Sequence, residues 1–204
     1  MATPQKPLSD NPMARAIDLA RQAIRIASPN PPVGAVVVKD GRIVGEGYTQ
    51  APGQPHAEIM ALTQAGISAR GAEMYVTLEP CAHQGRTPPC TKAIIAADIR
   101  RVHIGAMDPN PQTDGRGLAQ LEQNNVSVVV HEINPEVLTL IESFDKHITT
   151  GVPFVVAKFA MSLDGKIATS SGDSRWISNA TARRYAHTLR AGVDAIMIGI
   201  GTAL

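Results

Sequence analysis

The chain has 204 residues, 44 % of them hydrophobic and only 3 % aromatic, enough for a packed core built mostly from Val, Ile, Leu and Ala. Lysine and arginine number 19 against 18 aspartate and glutamate, so no overall field draws the protein onto nucleic acid or an acidic membrane, and a small-molecule partner is expected. No run approaches the ~18 apolar residues of a membrane span, and the first eleven residues lack the apolar centre of a signal peptide. The protein is therefore expected in the cytoplasm, where two cysteines are better metal ligands or reactive thiols than a disulfide.

Asn11-Pro12 opens the first helical pattern with a capping residue and a proline at the first helical position. Apolar residues keep helical spacing to Ala27, where Ser28-Pro29-Asn30-Pro31-Pro32 stops it. A buried strand is predicted over 33–39, a tight turn at Asp40-Gly41 and a return strand over 42–48. A loop over 50–55 leads to a second helix from His56, with Ile59, Leu62 and Ala65 on its apolar face and Gly66 ending it. His56 and Glu58 thus fall in the first turn. A strand over 74–78 delivers the chain into the Cys81 loop, and a third helix over 91–97 follows Cys90. Strand 101–106, a polar loop from Asp108 to Gly117, helix 118–124, strand 126–130 and helix 136–149 complete the pattern. Such alternation predicts a three-layer α/β domain with a central mixed sheet covered on both faces.

Gly151-Val152-Pro153 marks a boundary, giving one domain over 1–150 and a second piece over 151–204. That piece reads as strand 154–160, a turn at Leu163-Asp164-Gly165, helix 181–191 and strand 194–200. A unit so small buries only ~60 % of its unfolded surface, so it is read as the opening of a second domain. Its apolar run Ala195-Ile196-Met197-Ile198 could pair with a second copy, which leaves a homo-oligomer open.

The chemistry concentrates in His56-Ala57-Glu58 and in the stretch from Pro80-Cys81 to Cys90. Structural zinc usually takes four protein groups, and catalytic zinc three with a position left for water. His56, Cys81 and Cys90 are three, with no further cysteine to close the shell. Glu58 follows His56 too closely to be needed as a ligand and is placed to move a proton from an activated water to a leaving nitrogen. His-x-Glu followed by Pro-Cys is the zinc deaminase signature, directed at amino groups on pyrimidine or purine rings. Alone, a histidine at a helix start is more often a cap and a cysteine more often core; together with Glu58 and Pro80 they favour the metal. A non-catalytic zinc module is the competing class, and Glu58 is surplus to it. His103, His131, His147 and His187 receive no ligand role and are read mostly as solvated side chains.

Several stretches resemble the bifunctional deaminase/reductase family of riboflavin biosynthesis: Asn30-Pro31-Pro32-Val33-Gly34, His56-Ala57-Glu58, Thr77-Leu78-Glu79-Pro80-Cys81-Ala82-His83-Gln84-Gly85-Arg86-Thr87-Pro88-Pro89-Cys90 and Asp108-Pro109-Asn110-Pro111. Lys158-Phe159-Ala160-Met161-Ser162-Leu163-Asp164-Gly165-Lys166 and Arg175-Trp176-Ile177 are similar to the start of its reductase half. Most other zinc deaminases space their thiols as Cys-x-x-Cys, whereas eight residues separate Cys81 from Cys90.

The resemblance implies a cytidine-deaminase-like first domain holding Zn2+ through His56, Cys81 and Cys90, with Glu58 as the catalytic acid/base. Its substrate would be 2,5-diamino-6-(5-phosphoribosylamino)pyrimidin-4(3H)-one, its products 5-amino-6-(5-phosphoribosylamino)uracil and ammonia. Asn30 would hydrogen-bond the pyrimidine, and His83, Arg86 and Thr87, with Asp108 and Asn110 behind them, would hold the phosphoribosyl part. In the family a dihydrofolate-reductase-like domain then reduces the ribose with NADPH. Its positions carry over onto Ala160, Trp176 and Thr202 for the cofactor and onto Ser174 and Arg190 for substrate. Since the sequence ends at Leu204, before the rest of that site, no NADPH-dependent activity is expected of it. Guanine, cytosine or a tRNA adenosine is the alternative target, tRNA being disfavoured by the neutral charge and the long thiol spacing.

Overall fold

Two units make up the computed structural model, Met1–Phe154 and Val155–Leu204. Described are residues 11–131 and 134–204 and the backbone of Lys6–Pro7, so most of the N-terminal stretch read as lacking a signal peptide lies outside the described residues.

The first unit is built on a sheet of β1 (Lys6–Pro7), β3 (Arg42–Tyr48), β2 (Gly34–Lys39), β4 (Glu73–Val76), β5 (Arg101–Ile104) and β6 (Ser127–Val130), in that spatial order. The first four are antiparallel neighbours and β4, β5 and β6 run parallel, which makes the sheet mixed, as expected. Asp40 and Gly41 both take left-handed φ, 48° and 70°, the geometry that a two-residue hairpin turn of this hand requires.

On one face lies α1 (Pro12–Ala23), whose Asn11 cap accepts from the Met13 amide at 2.9 Å. Its buried stripe, Met13, Ala16, Ile17, Leu19, Ala20 and Ala23, packs on β2. The backbones approach so closely that a Cβ on Gly34 would lie 1.9 Å from the Ala16 carbonyl oxygen. The helix closes at Ala23 rather than Ala27, and the turn after it is held by the Ile26 and Ala27 amides, which both donate to the Ala23 carbonyl at 2.9 Å; Ala27 is still buried. Beside it runs α5 (Pro135–Thr150), capped by Asn134 and ended by Gly151 at φ 73°.

Against β3 packs α2 (Ala57–Ala65), followed by a short 3-10 turn (Gly66–Ala69), with α3 (Cys90–Ala96) and α4 (Arg116–Gln123) succeeding each other alongside. Val36, Val37, Met74, Val76, Ile94, Val102, Ile104 and Leu121 are fully buried between the layers. Each is worth ~1.5–3 kcal/mol, against under ~1 kcal/mol for an exposed ion pair such as Arg21 with Glu136. The aliphatic layer therefore holds helices to sheet.

In Val155–Leu204 the expected helix forms as α6 (Ala180–Arg190), capped by Asn179, and Arg183 stacks 4.3 Å over the Trp176 ring. The strands expected over 154–160 and 194–200 do not form; the chain there has no ladder partner among the described residues, and its end coils into α7 (Ile200–Ala203). An apolar β-type pattern gives a segment an inclination, but a strand exists only when a neighbour takes its amides and carbonyls. Val155, Val156, Phe159, Ile196, Met197 and Ile198 are accordingly exposed.

Candidate active site

Three elements converge on one point. His56 is the extended cap of α2 (φ −73°, ψ 168°), and Glu58 follows in the first turn. Beyond β4 the chain bends at Thr77, which exchanges bonds with Gly34, its amide to the carbonyl at 3.0 Å and the Gly34 amide to its hydroxyl at 3.1 Å. The Glu79 amide then bonds to Ala106 at 2.9 Å, and Cys81 emerges after Pro80. Cys90 opens α3, its amide donating to the Cys81 sulfur at 3.4 Å.

The Nδ1 atom of His56 lies 3.4 Å from the Cys90 sulfur and 3.8 Å from that of Cys81, and all three atoms are within 4.8 Å of one another. Zn–N bonds of ~2.0–2.1 Å and Zn–S bonds of ~2.3 Å at a tetrahedral angle set ligand atoms ~3.5–3.8 Å apart, so these donors fit zinc.

Electrostatics favour the same ion. The Cys90 thiol, with His56 and the Cys90 amide, outweighs burial and lowers Cys81 to about 4. Cys90 is raised for the complementary reason, by its bond to Cys81 and by burial. His56 is raised, chiefly by its bond to Cys81. Glu58, 4 % exposed, is pushed up to about 7, above all by burial and then by the Cys81 charge. Three acidic groups crowd one pocket, and a divalent cation relieves that repulsion.

Of the remaining candidates, Thr87 turns its hydroxyl to His56 Nε2 at 3.3 Å. His83 is half-buried, and its Nδ1 has no hydrogen-bond partner among the described residues. Arg86 is exposed, and Asn30 sits half-buried in the turn before β2. Asp108 is buried, its carboxyl pushed up by burial and by the charges of Glu79 and Cys81, and it accepts from the Asn110 amide at 2.9 Å.

Sequence reasoning missed two features here. Glu79 is buried and binds the backbone of the 108–118 segment, and Thr91 donates its hydroxyl to Gln120 at 2.6 Å and its amide to the Cys81 carbonyl at 3.3 Å. It also misplaced His103, which is not solvated: 9 % exposed, it bonds Glu73 at 2.9 Å and His131 at 3.1 Å and stacks on Tyr75. Ala160, Ser174, Trp176, Arg190 and Thr202 form no cradle. All but Ala160 are exposed, Trp176 keeping 71 % of its surface, and no hydrogen bond, ion pair or ring contact joins any two of the five among the described residues.

A mixed sheet with a His/Cys/Cys cluster and a spare buried glutamate at its edge defines the zinc-dependent deaminase class. Residues 8–106 match the cytidine and deoxycytidylate deaminase zinc-binding region, and residues 153–204 match the RibD C-terminal domain. Across both segments the chain is similar to the RibD riboflavin biosynthesis proteins. It is 47 % identical to RibD of Aquifex aeolicus over 97 % of its own length and 55 % of that protein, and 50 % identical to RibD of Escherichia coli over 94 % and 52 %. It thus spans about half the length of the curated relatives it matches. The diaminohydroxyphosphoribosylaminopyrimidine deaminase/5-amino-6-(5-phosphoribosylamino)uracil reductase of Thermotoga maritima is similar in structure, with a TM-score of 0.82 at 47 % identity, covering 88 % of this chain and 52 % of that one.

Proposed function

We propose that this chain hydrolyses the 2-amino group of 2,5-diamino-6-(5-phosphoribosylamino)pyrimidin-4(3H)-one, giving 5-amino-6-(5-phosphoribosylamino)uracil and ammonia in riboflavin biosynthesis. The observation that carries the reading is a three-donor cluster beside a buried carboxyl that is not needed to complete it. Keeping Glu58 buried disfavours its ionised form, a disadvantage that a purely structural zinc staple has no use for. The family relation and the long thiol spacing support the phosphoribosyl pyrimidine over other bases.

Zinc held by His56, Cys81 and Cys90 would supply a Lewis acid that lowers the pKa of a bound water from ~15.7 to about 7. Glu58, itself near 7 by burial, would take one proton from the attacking water and pass it to the ring nitrogen, then take the remaining proton from the newly added hydroxyl and pass it to the leaving amine as the carbonyl forms. One C–O bond forms, one C–N bond breaks, ammonia leaves, and no oxidant is involved. Asn30 would orient the ring, and Arg86, an exposed cation in the Cys81–Cys90 loop, would face the phosphate together with His83, with Asp108 and Asn110 towards the ribose.

The same reading places a deaminase domain over 1–150, the opening of a reductase domain over 151–204, and the protein in the cytoplasm. Among the described residues no helix is long and apolar enough to cross a membrane. Ammonia release from the phosphoribosyl diaminopyrimidine, guanine and cytidine tests the proposal. It predicts by far the highest kcat/KM for the first; preference for guanine or cytidine would overturn it.

A further inference from the structure

We propose that Thr87 is a positioning residue for the metal ligand His56, and that the long loop between the two thiols exists in part to bring it there. The proposal rests on the zinc reading above and deepens it.

The imidazole of His56 is used at both nitrogens. Its Nδ1 faces the two sulfurs, at 3.4 and 3.8 Å, and its Nε2 faces the Thr87 hydroxyl oxygen at 3.3 Å. A histidine ligates zinc through an unprotonated nitrogen, so ligation through Nδ1 requires the proton on Nε2. An acceptor at Nε2 selects that tautomer, fixes the ring's rotation and makes the ligating nitrogen more basic. The Thr87 oxygen has two lone pairs and fills this role while its own proton stays free to point elsewhere.

The segment around Thr87 suits a fixed acceptor. A residue before proline is confined to extended backbone, and Thr87 precedes Pro88-Pro89. Its carbonyl accepts from the Gly85 amide at 3.2 Å, which closes the tip of the loop, and its side chain is half-buried. The chain leaves the donor cluster at Cys81, turns at Gln84-Gly85-Arg86, passes the far edge of the His56 ring at Thr87 and re-enters at Cys90. Thr87 is thereby assigned to the histidine rather than to the substrate phosphate.

Zinc affinity of the intact chain, measured by competition with a chromogenic chelator, tests this apart from turnover. Thr87→Val keeps the shape and loses the acceptor; we expect zinc to bind ~10–100-fold more weakly. Thr87→Ala must show the same loss, and Thr87→Ser must hold zinc within about threefold of wild type. Equal thermal unfolding of the zinc-free forms shows that the fold is intact. Wild-type zinc affinity in Thr87→Val, above all with a raised KM, would overturn this inference alone and return Thr87 to the substrate. A wild-type chain that takes up no zinc would overturn the proposed function with it.

Discussion

Glu79 accepts hydrogen bonds from four backbone amides, those of Asp108, Gly115, Gly117 and Leu118, at 3.3, 3.1, 2.9 and 3.1 Å. It caps α4 from outside that helix and pins the Asp108–Gly117 segment beside Cys81. Gly117 comes so near that a Cβ there would lie 2.0 Å from the Pro80 carbonyl oxygen. Replacing Glu79 by Ala strands these amides, and we expect a loss of about 2–4 kcal/mol in denaturant unfolding. None of this was legible in sequence, because the partners lie 29 to 39 residues away and no local pattern links them. The donor triad and Glu58 were legible, since each side chain's type and its spacing from its neighbours state its chemistry. The role of Thr87 was not, because a loop threonine carries no periodic signal.

At the level of elements, punctuation residues announced the fold: the Asn11 cap, the Asp40-Gly41 turn and the Gly66 stop all act as their chemistry predicts. The tight seating of α2 was written in the sequence too, as Gly45 and Gly47 in a strand, but its meaning needs three dimensions. A Cβ on Gly47 would stand 2.3 Å from the Ala57 carbonyl oxygen and 2.6 Å from the Met60 Cβ. Since Ala57 lies between His56 and Glu58, Gly47→Ala must push the first turn of α2 off the sheet. The expected outcome is destabilisation by about 1–3 kcal/mol together with weakened zinc binding, whereas Gly41→Ala, in open space at the hairpin turn, leaves zinc affinity unchanged. Titration of both variants with zinc and denaturant separates the two effects.

For the whole molecule, the first unit carries a closed aliphatic core and the second exposes the residues that would line one. The strands over 154–160 and 194–200 were misread because strand pairing depends on a partner segment, which a single stretch cannot reveal. Backbone amides in these stretches are expected to exchange with solvent near the rate of an unfolded chain, while those of β2 and β4 are protected by orders of magnitude. Hydrogen exchange read by peptide mass checks this, and strong protection over 154–160 would contradict it. The proposed function turns on hydrolysis at a metal with a separate proton carrier. That claim is tested most directly by measuring zinc content and ammonia release side by side for the wild-type chain and Glu58→Gln. The prediction is equal zinc, about one ion per chain, and ammonia release lowered ~10²–10⁴-fold. Glu58→Gln turnover within about tenfold of wild type, or loss of its zinc, would contradict it.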